Sequence, residues 1–316
     1  MIKVAILMGG PSTEYHVSLN SGKNVINNLR PDKYLPLPVV IDKNLKWHFI
    51  TLRKILNEKE AIVFLKKVCD VVFLALHGSY GEDGKIQKLL EKNKIKFTGS
   101  DSKASKIGID KMKTYKILKK ENINFPPTWT FESFYKIFKK KKIKFPIVVK
   151  PNDQGSSVGV SIIKNPTEKS LIKAVNKAKK FSKKVLIQKF IDGYEITCGV
   201  FHRMALLPTL IVPQEREFFD YYSKYTAGAT QEITPAPLEK SLLRQVRKIA
   251  LKVHRAVGCR HFSRTDMILG KDKNIYVLEI NTIPGMTKTS LLPQQLMACG
   301  IKFSEFLDKI IKLALK

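Results

Sequence analysis

The sequence predicts an α/β fold at the N-terminus, a parallel sheet with helices, followed by a mixed α+β region. The chain opens with an apolar strand run, KVAILM, then Gly9-Gly10 and a polar turn into a helical pattern from about Ser12 to Leu29. That strand–turn–helix order is how α/β domains begin. A second continuous apolar run, DVVFLAL at residues 70–76, suits a central parallel strand covered on both faces. Beyond residue 127 the pattern changes to paired β-rich runs around short polar loops, the signature of antiparallel hairpins.

At 316 residues the chain has room for about two domains, or one larger unit with subdomains, and for a core without disulfides or structural metal. Its four cysteines, Cys69, Cys198, Cys259 and Cys299, form no C-x-x-C pair, so neither a zinc site nor a disulfide framework is expected. The apolar start is too short for a signal sequence, and no run approaches the ~20 apolar residues of a membrane span. A cytoplasmic protein without membrane insertion is the expectation. The formal charge is +30, yet 48 of the 57 basic residues are lysine and nine are arginine. Readers of nucleic acid favour arginine forks, whereas these lysines gather in runs such as Lys139 to Lys142 and KKFSKK at 179–184. A solvated lysine surface is the expectation. Nucleic acid is not an expected partner, although FYKIFKKKKIKF at 134–145 interleaves aromatics with lysines and keeps a basic nucleic-acid-binding protein as the alternative from another functional class.

Taken in order, Gly9-Gly10 lacks the G-x-G-x-x-G spacing of a dinucleotide fingerprint. Glu14 and His16 fall near the start of the first helix, where a carboxylate complements the helix dipole or serves a ligand. A βα-like signal, PLPVVID at 36–42, comes next. DVVFLAL ends in HGSYGEDG at 77–84, which puts His77 where open α/β sheets bind ligands, beyond the carboxyl end of a strand, with a hydrogen-bonded structural histidine as the competing interpretation. From Thr98 small polar residues lead into a lysine-studded amphipathic helix with Ile109, Met112, Tyr115 and Leu118 at helical spacing. Pro126-Pro127 closes that stretch, which makes 98–127 a hinge.

In IVVKPNDQGSSVGVSII, at 147–163, two β-rich runs flank a loop of small residues. The arrangement is strand–loop–strand and lacks G-x-x-x-x-G-K-[ST], which excludes a Walker A site. A loop of this kind can still fold over phosphates with N–H groups and hydroxyls, with Lys150 as a point charge at the end of the first strand; a plain hairpin turn is the competing interpretation. Alternation in VLIQKFIDGYEITCGVF, at 185–201, puts Ile196, Cys198 and Val200 on one face and Glu195 on the other. Residues 215–234 are aromatic and aperiodic, the profile of a functional loop. An amphipathic helix over 238–258 ends at Gly258, and a last helix carries a stripe of Phe303, Phe306, Leu307, Ile310 and Ile311.

Between these helices, RTDMILGKDKNIYVLEIN at 264–281 reads as a β-hairpin. Residues two apart share a face, so Arg264 sits with Asp266 and Glu279 with Asn281. If Leu269 pairs with Tyr276, Asp266 lies opposite Glu279 and Arg264 opposite Asn281. Two carboxylates, an amide oxygen and a guanidinium then form one row. Such a row suits Mg²⁺, a hard cation that keeps phosphates among its oxygen ligands. A half-exposed hairpin with a polar outer face is the competing interpretation.

Together the segments GGPSTEYHVSLNSG, LALHGSYGEDG, the Lys111 region, VVKPNDQGSSVGV, YEIT, DYYSKYTAG, SRTDMIL and LEINTIPGMTKTSL resemble, in order and spacing, the D-alanine–D-alanine ligases of the ATP-grasp superfamily. The resemblance implies an N-terminal α/β substrate domain at 1–98, and ATP-grasp subdomains at 99–187 and 188–316 that sandwich ATP. It implies ATP binding by Lys111, Lys150, Ser157, Gln188, Lys189, Glu195 and Lys224. Asp266, Glu279 and Asn281 would hold two Mg²⁺ or Mn²⁺. Glu14 would receive the first D-alanine's ammonium and link with Ser156 and Tyr225 to hold three loops closed. Arg264 and the Gly285 N–H would face the developing oxyanion. Ser290 and Leu291 would take the second substrate's carboxylate, with His77 also on the substrate side. The implied activity is synthesis of D-alanyl-D-alanine for peptidoglycan, by a homodimer. Gln188 stands where the family often has Glu, and Thr289 where some members have His. Lys224-Tyr225 favours the dipeptide product over D-alanyl-D-lactate, the product of the alternative ligase.

Overall fold

The computed structural model describes residues 1–140, 143, 145–213 and 230–316. Its first sheet has the order β4-β3-β2-β1-β5. It comprises β1 (Ile2–Gly9), β2 (Tyr34–Ile41), β3 (Trp47–Phe49), β4 (Lys54–Leu56) and β5 (Val71–Leu74), with helices α1 (Tyr15–Asn28), α2 (Glu58–Val68) and α3 (Lys85–Lys92). β1 runs parallel to both β2 and β5, and β3 and β4 are antiparallel additions at one edge. The turn after β1 requires glycine. Gly9 has φ +90°, and a Cβ there would lie 2.3 Å from the Ile41 carbonyl oxygen. Ser18 of α1 closes the same corner, accepting the Gly9 N–H at 2.8 Å and donating to the Ala75 carbonyl at 2.7 Å.

The expected helix at the hinge is two helices, α4 (Ser102–Ile109) and α5 (Lys111–Lys120). Asp110 breaks it, because its extended backbone lets the side chain cap α5 by accepting the Lys113 N–H at 3.1 Å. Asn152, in the loop that follows Pro151, accepts the next free N–H groups. Its carbonyl takes Lys111 N–H at 3.1 Å and its side chain Met112 N–H at 3.0 Å. Lys111 is thereby fixed at the first position of α5.

The second sheet, in the order β6-β9-β7-β8, comprises β6 (Thr128–Thr130), β7 (Ile147–Pro151), β8 (Ser161–Ile163) and β9 (Val185–Lys189). Its paired strands are antiparallel, and it is backed by α6 (Phe131–Lys140) and α7 (Glu168–Lys179). The expected boundary at 187/188 falls inside β9, all of whose residues pair with β7. The third sheet, β13-β12-β10-β14-β15 with β11 beside β10, comprises β10 (Gly193–Phe201), β11 (Met204–Ala205), β12 (Thr209–Pro213), β13 (Thr230–Ile233), β14 (Phe262–Gly270) and β15 (Ile275–Asn281). Helix α8 (Lys240–Val257) covers its apolar face and ends at Gly258 in the left-handed conformation. The closing helices α9 (Leu291–Ala298) and α10 (Phe303–Leu315) return to the first sheet. Leu292, Leu296, Phe306 and Ile310 join the same core as Val4, Leu7 and Phe73.

Candidate active site

The hairpin row exists, and a bulge creates it. Near the turn Leu269 pairs with Ile275, one residue away from the expected Tyr276. The register shifts between Asp266 and Met267, with Leu278 as the extra residue, so Asp266 still faces Glu279 and Arg264 still faces Asn281. The Tyr115 hydroxyl donates to the Leu278 carbonyl at 2.6 Å and so fastens the bulge to α5. On the other side of β14, Thr197 and Gly199 of β10 lie opposite Asp266 and Arg264, and Glu195 lies opposite Ile268. Glu195 therefore shares the face of the row.

Asp266 is only 3% exposed and is heavily hydrogen-bonded. Arg264 Nε and Nη2 donate to its two carboxylate oxygens at 2.8 and 2.7 Å, and Thr197 Oγ1 donates at 2.6 Å. Asn281 Nδ2 lies 3.4 Å from Oδ2. Burial works against the Arg264 charge, but Asp266, Glu279 and Glu195 more than offset it and the guanidinium pKa is raised. Lys111 Nζ lies 2.9 Å from Glu279 Oε2 and donates to the Gln154 carbonyl at 2.7 Å. It thus ties the row to the small-residue loop. Lys150 is buried at the end of β7. Burial first, and then the neighbouring Lys111 charge, push its ammonium from 10.5 down to about 7, with Glu279 and Glu195 pulling the other way.

All of the expected ATP-binding residues that are described, Lys111, Lys150, Ser157, Gln188, Lys189 and Glu195, line one cleft between the second and third sheets, together with Asp266 and Glu279. Lys224 lies outside the described residues. Val148, Ile162, Ile268 and Leu278 give the cleft apolar walls fit for a flat ring. Gln188 is held in one orientation. Its Nε2 donates to Tyr115 Oη at 2.9 Å and to Thr128 Oγ1 at 2.7 Å. Those hydroxyls spend their own protons on the Leu278 and Pro126 carbonyls. Gln188 therefore keeps Oε1 as its acceptor toward the cleft. Lys189 is exposed at the rim, with Nζ 5.8 Å from the Phe145 ring centroid.

A second group of residues lies where the first sheet meets the third. Ser156 Oγ donates to Glu14 Oε1 at 2.5 Å, joining the small-residue loop to the start of α1. Ser156 and Ser157 both have positive φ, 51° and 57°, which folds the loop back on itself. Tyr225, the expected third member of that link, lies outside the described residues. His77 has both ring nitrogens engaged. Nδ1–H donates to the Ile283 carbonyl at 3.0 Å, so Nε2 accepts from Ser21 Oγ at 2.8 Å. Burial holds its pKa below the ordinary imidazole value. These bonds make His77 a fastener of the loop that follows β15. Gly285 and Ser290 are neighbours in that loop, and a Cβ on Gly285 would come within 2.7 Å of Ser290 Oγ. Ser290 stands at the N-cap position of α9 with its Oγ turned back to Thr287, and the Leu291 side chain is buried against Ile211, which leaves the Leu291 N–H at the helix start.

Glu82 escaped the sequence analysis. Its carboxyl accepts Gly78 N–H at 2.7 Å and Ile283 N–H at 3.3 Å. Burial, then the charge of Glu14, raise its pKa to about 8. It lies in the GEDG segment, whose address beyond β5 was as favourable as that of His77.

Among the described residues no three His, Cys, Asp or Glu side chains cluster at metal-binding separation. The donor set is two carboxylates and the Asn281 amide on adjacent strands, with Lys111 and Arg264 as counter-charges. That set fits a hard cation whose remaining ligands are phosphate oxygens.

Comparison with known proteins agrees with this geometry. The family model "D-ala D-ala ligase N-terminus" matches residues 3–100, and "D-ala D-ala ligase C-terminus" matches residues 104–312. A D-alanine–D-alanine ligase of Clostridium beijerinckii is 39% identical over 317 aligned positions, covering 100% of this chain and 99% of the relative. The crystal structure of the Bacillus anthracis D-alanine–D-alanine ligase aligns with a TM-score of 0.81 at 36% identity, over 100% of this chain and 98% of that one. The VanG D-Ala:D-Ser ligase of Enterococcus faecalis aligns with a TM-score of 0.85 at 29% identity, over 99% of each chain. Sheets, cleft and comparisons agree: the chain has the ATP-grasp fold and belongs to the D-alanine–D-alanine ligase family.

Proposed function

We propose that this chain joins two D-alanine molecules into D-alanyl-D-alanine at the expense of ATP, through an acyl phosphate, for peptidoglycan precursor synthesis. The observation that carries this is the Arg264–Asp266–Glu279–Asn281 row facing a cleft that also holds Lys111 and Lys150. Residues 1–98 supply the first substrate's side of the site, 99–187 cover the nucleotide, and 188–316 carry the row and the second substrate's side.

Phosphoryl transfer asks a protein for positioning and charge neutralisation more than for covalent chemistry. Lys111, Lys150 and Lys224 hold phosphates, Ser157 and its loop cover them, and Glu195 takes the ribose. The Gln188 Oε1 acceptor suits an exocyclic amino group on the base, with Lys189 at the rim. Asp266, Glu279 and Asn281 would hold two Mg²⁺ or Mn²⁺, whose chemistry when bound is neutralisation of charge on the transferred phosphoryl group. Glu14 takes the first D-alanine's ammonium, and the Glu14–Ser156 bond, extended by Tyr225, keeps water from the site. The first D-alanine's carboxylate attacks the γ-phosphorus and ADP leaves. The second D-alanine's amine, its proton lost, then attacks the acyl carbonyl, and inorganic phosphate departs from the tetrahedral centre. Arg264 and the Gly285 N–H stabilise the oxyanion. Ser290 Oγ and the Leu291 N–H take the second carboxylate. His77 and Glu82 hold the intervening loops in register.

We place the enzyme in the cytoplasm, with its ATP. Among the described residues no helix is long and apolar enough to cross a membrane. We also propose a homodimer. Ile50, Leu52, Ile55 and Val63 are all exposed around the β3–β4 edge and α2 of the first sheet, a cluster of the kind that seeks a partner. Sedimentation should give twice the chain mass, and a monomer at micromolar concentration would remove that part. The activity is tested by ADP release from ATP, Mg²⁺ and D-alanine. Release with L-alanine but not D-alanine would overturn the assignment.

A further inference from the structure

Two adjacent glutamines hold the N-terminal end of α9 from two sides. Gln295 is fully buried, and its amide stands in for a peptide group of an absent strand. Oε1 accepts the Gly199 N–H at 2.8 Å, while Nε2 donates to the Thr197 carbonyl at 3.0 Å and to Thr209 Oγ1 at 3.0 Å. The β10–β12 ladder stops at the Thr197–Thr209 pair, so the Gly199 N–H lies beyond its end, and Gln295 takes it. Residues 197 and 199 are also the ones opposite Asp266 and Arg264. Gly199 is what lets the helix approach. A Cβ there would lie 2.6 Å from Gln295 Oε1 and 2.8 Å from Leu292 Cδ1.

Gln294 makes the second attachment. Its Nε2 donates to Glu232 Oε2 on β13 at 2.6 Å and to the Thr289 carbonyl at 2.9 Å, immediately before Ser290. Strands β10, β12 and β13 thus all fix the short stretch that presents Ser290 and Leu291.

We propose that Gln295, assisted by Gln294, is a positioning residue for the second substrate, setting the distance between the α9 N-terminus and the Arg264–Asp266 row. This rests on the assignment of the second D-alanine's carboxylate to Ser290 and Leu291. Neither glutamine touches ATP or the first D-alanine in this scheme, so its loss acts on one substrate only.

The test is initial-rate ADP release by the full chain and by Gln295→Leu, Gln295→Glu and Gln294→Ala, with the two D-alanine KM values resolved separately. The second-site KM rises about tenfold in both Gln295 variants and about threefold in Gln294→Ala, since small misplacements of a bound group are costly. The KM for ATP and the first-site KM stay within about twofold of wild type. A joint rise of all three constants would show a merely structural role and overturn the proposal, as would no change at all. Gln294 is only half-buried, so if the Gln295 variants do not fold, Gln294→Ala decides alone, and an unchanged second KM defeats the proposal. Absence of D-alanine-dependent ADP release by the wild type is a separate outcome that removes the ligase assignment itself.

Discussion

Nucleotide binding should draw a proton from solution, and Lys150 is the group that takes it. In the free protein its ammonium titrates at about 7, because burial and the Lys111 charge disfavour the charged form. A triphosphate beside Lys150 restores that charge, so the bound-state value moves back toward 10.5. Binding at about pH 7 then takes up about half a proton, and at about pH 8 about nine-tenths. The apparent affinity for ATP falls about tenfold between about pH 6 and about pH 8, since only the protonated lysine binds well. The folded pKa is depressed, so between about 7 and 10.5 the unfolded chain holds more protons. Stability from this group therefore rises with pH across that window, and its cost is fully present below it. Calorimetry of MgATP binding without D-alanine, in two buffers of different ionisation enthalpy, reads the proton count. Lys150→Met should abolish the uptake that ATP's own ionisation does not explain. Equal uptake by wild type and Lys150→Met would show that Lys150 is not the group that takes the proton.

Asp266→Ala and Glu279→Ala should each abolish turnover, and near-normal rates would contradict the metal assignment. Asp266→Ala also strands Arg264, 12% exposed at its side chain, without its bidentate partner. Thermal or urea unfolding should show a loss of about 3–5 kcal/mol; no loss would mean that Arg264 finds other partners. Ser156→Ala and Tyr225→Phe should raise the first-site KM for D-alanine and slow turnover, and unchanged constants would remove the closure link. Gly285→Ala introduces a Cβ 2.7 Å from Ser290 Oγ. It should fold, yet lose about tenfold or more in kcat/KM for D-alanine, which steady-state assays will read.

Much of the site was legible because strands have a period of two. That rule alone put Arg264 with Asp266 and Glu279 with Asn281. The bulge at Leu278 was not legible, since no glycine marks it and the Tyr115 hydroxyl that bonds its carbonyl sits on a helix far away in sequence. The break at Asp110 was hidden for a similar reason. Asp is tolerable inside a helical pattern, and the restart is favourable because Asp110 caps the Lys113 N–H while Asn152, in the loop after β7, takes the Lys111 and Met112 N–H groups. His77 was found by its address at a strand end, and Glu82 was missed at nearly the same address because a carboxylate in a polar loop looks solvated. Gln295 carried no signal at all. A glutamine in LLPQQLMACG reads as surface until Gly199 is seen beneath it. The specific roles in the site came from resemblance, because the row's chemistry depends on ligands the chain does not itself encode.

The proposed mechanism passes through an acyl phosphate, and isotope transfer reports its formation. D-alanine labelled with ¹⁸O in its carboxylate is incubated with ATP, Mg²⁺ and the enzyme, and the released phosphate is weighed by mass spectrometry. Attack of the first carboxylate on the γ-phosphorus, followed by departure of phosphate from the tetrahedral centre, carries one labelled oxygen into each phosphate. D-alanyl-D-alanine formed alongside phosphate that has no label would contradict the mechanism.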